Sequence, residues 1–176
     1  MSRVTSIEEL SNLKSKIETE RKFTKQVLIC GGTGCISSGS NEIADKMTEK
    51  VKAAGKENEI RVIKTGCFGF CEKGPIVKML PDNTFYTEVT PEDADRLVET
   101  HLLKEEKIEE LLYVDPVTKN KISDSDHMDF YKKQERVALR NCGVIDPENI
   151  EDYLLYDGYT ALDKVLKMSQ QEVVDI

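Results

Sequence analysis

Two pairs of closely spaced cysteines constrain this chain more than any other feature of its sequence. Cys30 and Cys35 enclose the run GGTG, and Cys67 and Cys71 enclose FGF. The stretch between the two pairs is long enough for one helix and one strand. Because a helix can connect two neighbouring parallel strands, each pair is expected on a loop at the same end of such strands.

The segments around these loops have the patterns of regular secondary structure. The run QVLIC predicts a strand ending at Cys30, and EIRVIKT predicts a strand leading to Cys67. Between them, Ile43, Met47 and Val51 recur at helical spacing. The segments IVKML and TFYTEV flank the turn-forming PDN, and together they predict a β-hairpin.

Helices are predicted at both ends of this region. Ser6 and Glu9 form a capping box before an amphipathic helix that ends near Arg21. Thr90 as N-cap, with Pro91 at the first helical position, predicts the last helix. The order of elements favours the α/β class, with a thioredoxin-like four-stranded mixed sheet flanked by helices.

The chain changes character after this predicted domain, which covers residues 1–103. Residues 104–134 are charged and turn-rich, so a linker is predicted, with a short hairpin around VTKN. Residues 135–176 are predicted to form a partial helical tail, with one helix from Asp146 and Pro147 and another after Gly158. Ser169 and Glu172 form a further capping box, which opens a helix close to the last residue. We therefore expect this tail to be the truncated start of another domain.

The composition and charge of the chain limit the classes of partner and the cellular location that we expect. The chain has 176 residues, with 33 acidic against 25 basic side chains and a net charge of −8. Nucleic-acid backbones are bound by basic surfaces, so nucleic acid is not expected as a partner. No apolar run approaches the roughly 20 residues that a membrane span needs, and the N-terminus lacks the apolar centre of a signal peptide. A cytoplasmic location with reduced cysteines is expected.

Four thiolates and glycine-rich loops suit a 2Fe-2S cluster. Such a cluster is held by four cysteines, and its sulfides accept hydrogen bonds from backbone N–H groups that approach closely. Glycine permits this approach because it lacks a Cβ atom. Phe68 and Phe70 could cover one side of the cluster, although ordinary loop packing explains them equally well. The glycines that would permit this close approach of the backbone to the cluster are Gly31, Gly32, Gly34 and Gly69.

Other uses of four cysteines fit the spacing less well. Structural zinc sites commonly separate paired cysteines by two residues, whereas four and three residues separate these pairs. A thioredoxin-type dithiol also needs C-x-x-C, and disulfides are rare in the cytosol. A zinc-bound or metal-free subunit-docking module without redox activity remains the alternative function, and a thioredoxin-like homodimer is a further possibility.

The motif C-x4-C with GTGC, followed by C-x3-C within GFCEKGP, resembles the thioredoxin-like 2Fe-2S ferredoxin domain, the fold of the 24-kilodalton-type subunit of complex I. The resemblance spans about residues 6–103. It implies that Cys30, Cys35, Cys67 and Cys71 are the cluster ligands. It implies electron transfer as the role, with no catalytic residue in this chain.

The tail adds a second resemblance. The segment FYKKQERVALRNCGVIDPENIEDYLLYDGYTALDKVL is similar to the segment that leads into the flavin domain of the complex I 51-kilodalton-type subunit. Together the two resemble the NAD(P)-linked subunit of iron hydrogenases and formate dehydrogenases, some of them electron-bifurcating. The resemblance implies FMN and NAD(P) only in a downstream domain, and flavin and iron–sulfur subunits or domains as partners.

Three other kinds of residue are predicted to be structural. Cys142 lies in the turn-like RNCG and is expected to be a small buried residue rather than a ligand. His101 closes a predicted helix and His127 lies in the linker, and neither has a ligand partner nearby. The tyrosines of the tail are expected to pack; they are Tyr153, Tyr156 and Tyr159.

Overall fold

The computed structural model describes Val4 and residues 6–176 and divides the chain into two compact units. The larger unit is Phe23–Asp146. The smaller combines the first helix with the segment Pro147–Ile176. Within the described residues, no helix has the length and apolar character that crossing a membrane requires.

The larger unit is built on a four-stranded mixed sheet, as predicted. Its strands are β1 (Lys25–Cys30), β2 (Ile60–Thr65), β3 (Val77–Leu80) and β4 (Thr84–Tyr86), in the order β2-β1-β3-β4. Strands β1 and β2 are parallel, whereas β3 is antiparallel to both β1 and β4. The predicted hairpin is confirmed as β3–β4.

Helices connect these strands. After β1 come the short α2 (Thr33–Ser37) and the longer α3 (Ser40–Ala53). After β4, one helical segment begins as a 3-10 turn at Pro91–Asp93, continues as α4 (Ala94–Arg96), and ends as a π-helix at Leu97–Leu102. The predicted start at Thr90 is confirmed, because Thr90 and Asp93 form a capping box.

Alternating side chains of the strands divide the interior into two cores, one on each face of the sheet. Val27 and Ile29 of β1 face the core formed with α3 and the 91–102 segment. Leu28 and Cys30 face the other core, which contains Phe68 and Phe85. The first cysteine therefore lies on the face opposite α3.

The segment 104–134, predicted as a linker, is folded onto the edge of this sheet. It forms the predicted hairpin, β5 (Tyr113–Val114) with β6 (Lys121–Ile122), followed by α5 (Asp129–Lys132). The backbone N–H of Phe85 donates to the carbonyl of Ser123 at 2.8 Å. Apolar side chains of the 104–134 segment also enter both cores of the larger unit. They are Ile108, Leu112, Tyr113 and Met128. The linker prediction failed to anticipate this packing because these apolar residues follow no helical or strand period.

The smaller unit is helical. It contains α1 (Ile7–Glu20), α6 (Ile150–Leu155), α7 (Thr160–Leu166) and α8 (Gln170–Val174). The Ser6 and Ser169 side-chain caps are formed as predicted. Helix α6 begins later than predicted, because Asn149 caps it by accepting from the N–H of Glu151 at 2.8 Å. The predicted boundaries at residues 103 and 134 differ from this division, which joins α1 to residues 147–176.

Both histidines have structural surroundings, as expected. His127 is exposed, and its Nδ1 lies 3.2 Å from Asp124. His101 is buried instead: its Nδ1 lies 2.6 Å from the hydroxyl of Tyr86, and its Nε2 lies 3.3 Å from the carboxylate of Asp82. The Tyr86 hydroxyl also accepts from the N–H of Ile108 at 3.1 Å, so the network ties the 104–134 segment to β4.

This burial predicts a pH-dependent contribution to stability. Burial lowers the pKa of His101, although Asp82 opposes the effect. The folded chain therefore binds this proton less tightly than the unfolded chain. The free energy of unfolding should decrease as the pH falls below about 6.5, the ordinary histidine pKa, and should lose nothing from His101 above it.

An NMR titration of the His127→Gln variant checks this expectation, because His101 is then the remaining histidine of the two in the sequence. Its imidazole signals should titrate with a midpoint below about 6.5. Urea unfolding of the same variant should show a lower midpoint concentration on the acidic side of that pH. A titration midpoint at or above the ordinary value would contradict the prediction.

Candidate metal centre

The four predicted cysteines meet beyond the carboxyl ends of β1 and β2. Cys30 is the last residue of β1 and is paired in register with Thr65, the last residue of β2. Cys35 lies in α2, Cys67 follows β2, and Cys71 begins a 3-10 turn. Parallel pairing of the two strands brings both cysteine loops to one end of the sheet.

The thiols approach one another as two neighbouring pairs. Cys30 and Cys35 interact within one pair, and Cys67 and Cys71 within the other. Gly32 lies between the pairs, because a Cβ atom placed on it would be 3.0 Å from the Sγ of Cys67 and 3.5 Å from that of Cys30. All five cysteines of the chain, each within the described residues, are free. No disulfide therefore competes for these thiols.

The pairing of the thiols bears on the kind of metal centre that they can hold. Among the described residues, no group of three or more His, Cys, Asp or Glu side chains has the geometry to hold a metal ion. A two-iron cluster distributes its four protein ligands over two irons, two to each. Two adjacent thiol pairs match that distribution.

Two glycines leave room for a cluster next to the thiols. A Cβ atom on Gly74 would be 2.6 Å from the Sγ of Cys35, closer than side chains pack. The backbone of Gly74 has φ −76° and ψ 161°, and that of Gly32 has φ −67° and ψ 147°, which any residue can adopt. Glycine at both positions therefore serves the close approach of backbone to sulfur. The residues present fit a 2Fe-2S cluster.

Comparison with known proteins decides the family. The family model described as thioredoxin-like 2Fe-2S ferredoxin matches residues 3–102, more than half of the chain. The chain belongs to this ferredoxin family. The family has a 2Fe-2S cluster as its cofactor and electron transfer as its role, and its fold agrees with the mixed sheet described above.

Individual relatives cover different parts of the chain. The 2Fe-2S ferredoxin of Clostridium pasteurianum is 36% identical over 77 residues, which are 44% of this chain and 76% of that protein. The crystal structure of a thioredoxin-like 2Fe-2S ferredoxin from Aquifex aeolicus is 33% identical, covers 51% of this chain and 95% of that one, and has a TM-score of 0.47.

A larger redox protein contains a more similar segment. The NADP-reducing hydrogenase subunit HndC of Solidesulfovibrio fructosivorans is 60% identical over 45 residues. This segment is 26% of the present chain and 9% of the hydrogenase subunit. The chain therefore spans a small part of that protein's length.

The cysteines of this ferredoxin-family chain differ in exposure. Cys30 and Cys35 are buried, with 1% and 2% of their surface exposed, Cys67 is partly buried and Cys71 is exposed. Burial and the neighbouring Cys30 raise the pKa of Cys35 to about 12, and the Cys67 charge raises the pKa of Cys71. Without metal these two thiols are protonated at neutral pH. Iron must therefore displace protons when it binds.

Backbone geometry within the second loop favours a charged sulfur. The N–H of Gly69 points at the Sγ of Cys67, 3.3 Å away. Gly69 has φ +80°, in the left-handed region that glycine adopts without strain. A hydrogen bond to a ligand sulfur stabilises its negative charge and helps to set the redox potential of an iron–sulfur site.

Phe68 and Phe70 belong to an aromatic cluster on one side of the site. Phe68 meets Phe85 edge-on at 5.5 Å between ring centroids, and Phe70 lies 4.7 Å from Phe130 and 5.3 Å from Tyr113. Both phenylalanines are buried, which confirms the packing role. The same cluster makes that side apolar, since it belongs to one core with Cys30, Cys35 and Cys67.

Other residues near the cysteines were not identified from the sequence. Tyr131 donates its hydroxyl hydrogen to the carbonyl of Phe68 at 3.1 Å, and burial raises the pKa of this tyrosine. Thr65 is buried and contacts residues 143 and 145. Cys142 lies in the predicted turn but is partly exposed, and its sulfur is 3.1 Å from a Cβ placed on Gly66. No sequence signal links positions so far apart along the chain.

Proposed function

We propose that this chain transfers electrons through a 2Fe-2S cluster ligated by Cys30, Cys35, Cys67 and Cys71, as a module of an NAD(P)-linked redox complex of the hydrogenase or NADH dehydrogenase type. The observation that carries the ligand assignment is the meeting of two thiol pairs around Gly32. The fifth cysteine, Cys142, is not a ligand in this proposal.

The residues of the site have distinct tasks. When bound, the cluster supplies a one-electron couple in which only the charge on iron changes. Cys30 and Cys35 hold its buried side, and the aromatic cluster around Phe68 and Phe70 keeps water from the sulfurs. The exposed Cys71 marks the edge at which a redox partner approaches. Lys73 and Glu88 form an ion pair beside this edge, 3.5 Å apart.

The similarity to the hydrogenase subunit supports the proposed complex. The partners would be other iron–sulfur and flavin subunits or domains, with FMN and NAD(P) bound downstream of residues 135–176. In this proposal residues 1–103 form the ferredoxin domain, and residues 135–176 begin the flavin and nucleotide domain. Residues 104–134 pack on the ferredoxin sheet and connect the two domains. Five free thiols agree with a cytoplasmic location, where disulfides are rare. The proposal also includes a homodimer of this chain, which light scattering would distinguish from a monomer.

Spectroscopy of the anaerobically purified chain tests the proposal. We expect a brown protein with about two irons and two sulfides per chain, which bleaches on reduction by dithionite and gives a one-electron EPR signal. In the complete complex, NADH or NADPH should produce the same signal. A colourless chain containing zinc and no sulfide would contradict electron transfer and indicate a docking module instead.

A further inference from the structure

A segment from the end of the larger unit packs on the second cysteine loop. This segment, residues 139–146, is called the strap below. The buried hydroxyl of Thr65 donates to the carbonyl of Ile145 at 2.6 Å and accepts from the N–H of Gly143 at 3.2 Å. A single side chain at the end of β2 thus holds the strap through two hydrogen bonds.

Direct packing reinforces these hydrogen bonds on both sides of Cys67. On the N-terminal side, a Cβ atom placed on Gly66 would be 3.1 Å from the Sγ of Cys142 and 3.4 Å from its Cα. On the C-terminal side, a Cβ atom on Gly143 would be 2.6 Å from the ring of Phe68. The strap therefore touches both residues that flank Cys67.

Further contacts fix the strap along its length. The guanidinium of Arg136 lies 5.0 Å from the centroid of the Tyr131 ring and donates to the carbonyl of Cys142 at 3.4 Å. Arg61 of β2 and Asp146 form an ion pair at 3.6 Å. Arg136 thus contacts both the strap and Tyr131. Because the Tyr131 hydroxyl donates to the Phe68 carbonyl, this chain of contacts leads back to the second cysteine loop.

Thr65 also connects the two cysteine loops. Its carbonyl accepts the N–H of Gly31 at 2.9 Å, and a Cβ atom on Gly31 would be 2.6 Å from that carbonyl oxygen. The residue thus joins the loop of Cys30, the loop of Cys67 and the strap at one point. A displacement of the strap should therefore shift the positions of the thiols, because Thr65 contacts the strap and both cysteine loops.

We propose that Thr65 and the strap form a clamp that holds the Cys67 loop in its metal-binding position and excludes water from that side of the cluster. Thr65 is a positioning residue, because it acts through the Cys67 loop and the backbone. The inference rests on the proposed ligand role of Cys67. Because reduction adds negative charge, admitting water should stabilise the reduced form and move the midpoint potential to more positive values.

The test compares variants of the cluster-loaded protein. Thr65→Val removes the hydroxyl with little change of shape, whereas Thr65→Ser retains it. Thr48→Val is the matched control, because the Thr48 hydroxyl also donates to a backbone carbonyl, that of Ala44 at 2.7 Å, but on α3. The readouts are the midpoint potential, the EPR signal of the reduced cluster, and the rate at which N-ethylmaleimide alkylates Cys142, the one thiol outside the proposed ligand set.

In the Thr65→Val variant, N-ethylmaleimide should alkylate Cys142 several-fold faster than in the wild type. The midpoint potential should move to more positive values, and the EPR signal should change. Thr65→Ser and Thr48→Val should remain close to wild type in all three. Gly143→Ala is the second disturbing variant, since its Cβ meets the Phe68 ring and its φ of +79° disfavours alanine. It should reproduce the shifts even if Thr65→Val does not fold.

Two results would overturn the clamp. One is wild-type alkylation in both disturbing variants, which means that the strap is not held by these contacts. The other is faster alkylation with an unchanged potential and EPR signal, which means that the strap does not position the site. Both differ from failure of the proposed function, in which the wild-type chain itself binds no cluster.

Discussion

Replacing Cys35 with alanine is expected to leave less than about a tenth of the wild-type iron and sulfide, because the buried thiol is proposed as one of four ligands. The chain should still fold, since alanine is apolar and fills most of the space of a small buried thiol. Iron and sulfide analysis, with the visible spectrum, measures the loss. Near-ultraviolet circular dichroism reports whether the fold persists.

The fifth cysteine provides a matched control for this loss. Cys142→Ala also removes a thiol close to the second cysteine loop, but one outside the proposed ligand set. It should retain about two irons per chain and a wild-type spectrum. Equal iron content and equal spectra in the two variants would contradict the ligand assignment of Cys35.

Gly74→Ala is expected to prevent cluster binding while hardly changing the stability of the metal-free chain. The added Cβ would lie 2.6 Å from the Sγ of Cys35, and the glycine backbone already has a conformation that alanine adopts. In the metal-free chain the Cys35 side chain can rotate away from the methyl group. Once iron holds the sulfur, that movement is lost, so the clash acts against the bound state alone.

Reconstitution of the metal-free chain with iron and sulfide, followed at the cluster absorbance, measures this effect, and urea unfolding measures stability. Gly34→Ala is the control, because a Cβ there meets no atom within 4 Å and alanine favours the helix α2. This variant should take up iron like the wild type. Equal uptake by the Gly74→Ala variant would show that the space beside Cys35 is not needed for the cluster.

Much of the sheet could be predicted because its signals are local. The strands before Cys30 and Cys67, the hairpin around PDN and the caps at Ser6, Thr90 and Ser169 all follow from short patterns of polarity and turn residues. Convergence of the cysteine pairs followed from one further rule, that parallel strands joined by a helix end at the same edge of a sheet.

The packing of residues 104–146 could not be predicted in the same way. Ile108, Tyr113 and Met128 are isolated apolar residues among charged ones, and a pattern without a period does not say which face of the sheet they cover. The predicted helix start at Asp146 failed for a related reason, since this carboxylate pairs with Arg61 of β2. The helix begins instead after Asn149, whose side chain caps it.

The sequence by itself predicted the kind of site, because each cysteine pair and the glycines between its members lie within one short stretch of the chain. Only the tertiary structure decided what surrounds it. The burial of Cys35 beside Gly74, the exposure of Cys71 and the bonds between Thr65 and the strap join residues far apart in sequence. Such contacts arise when apolar side chains leave water together, and no short stretch of residues encodes them.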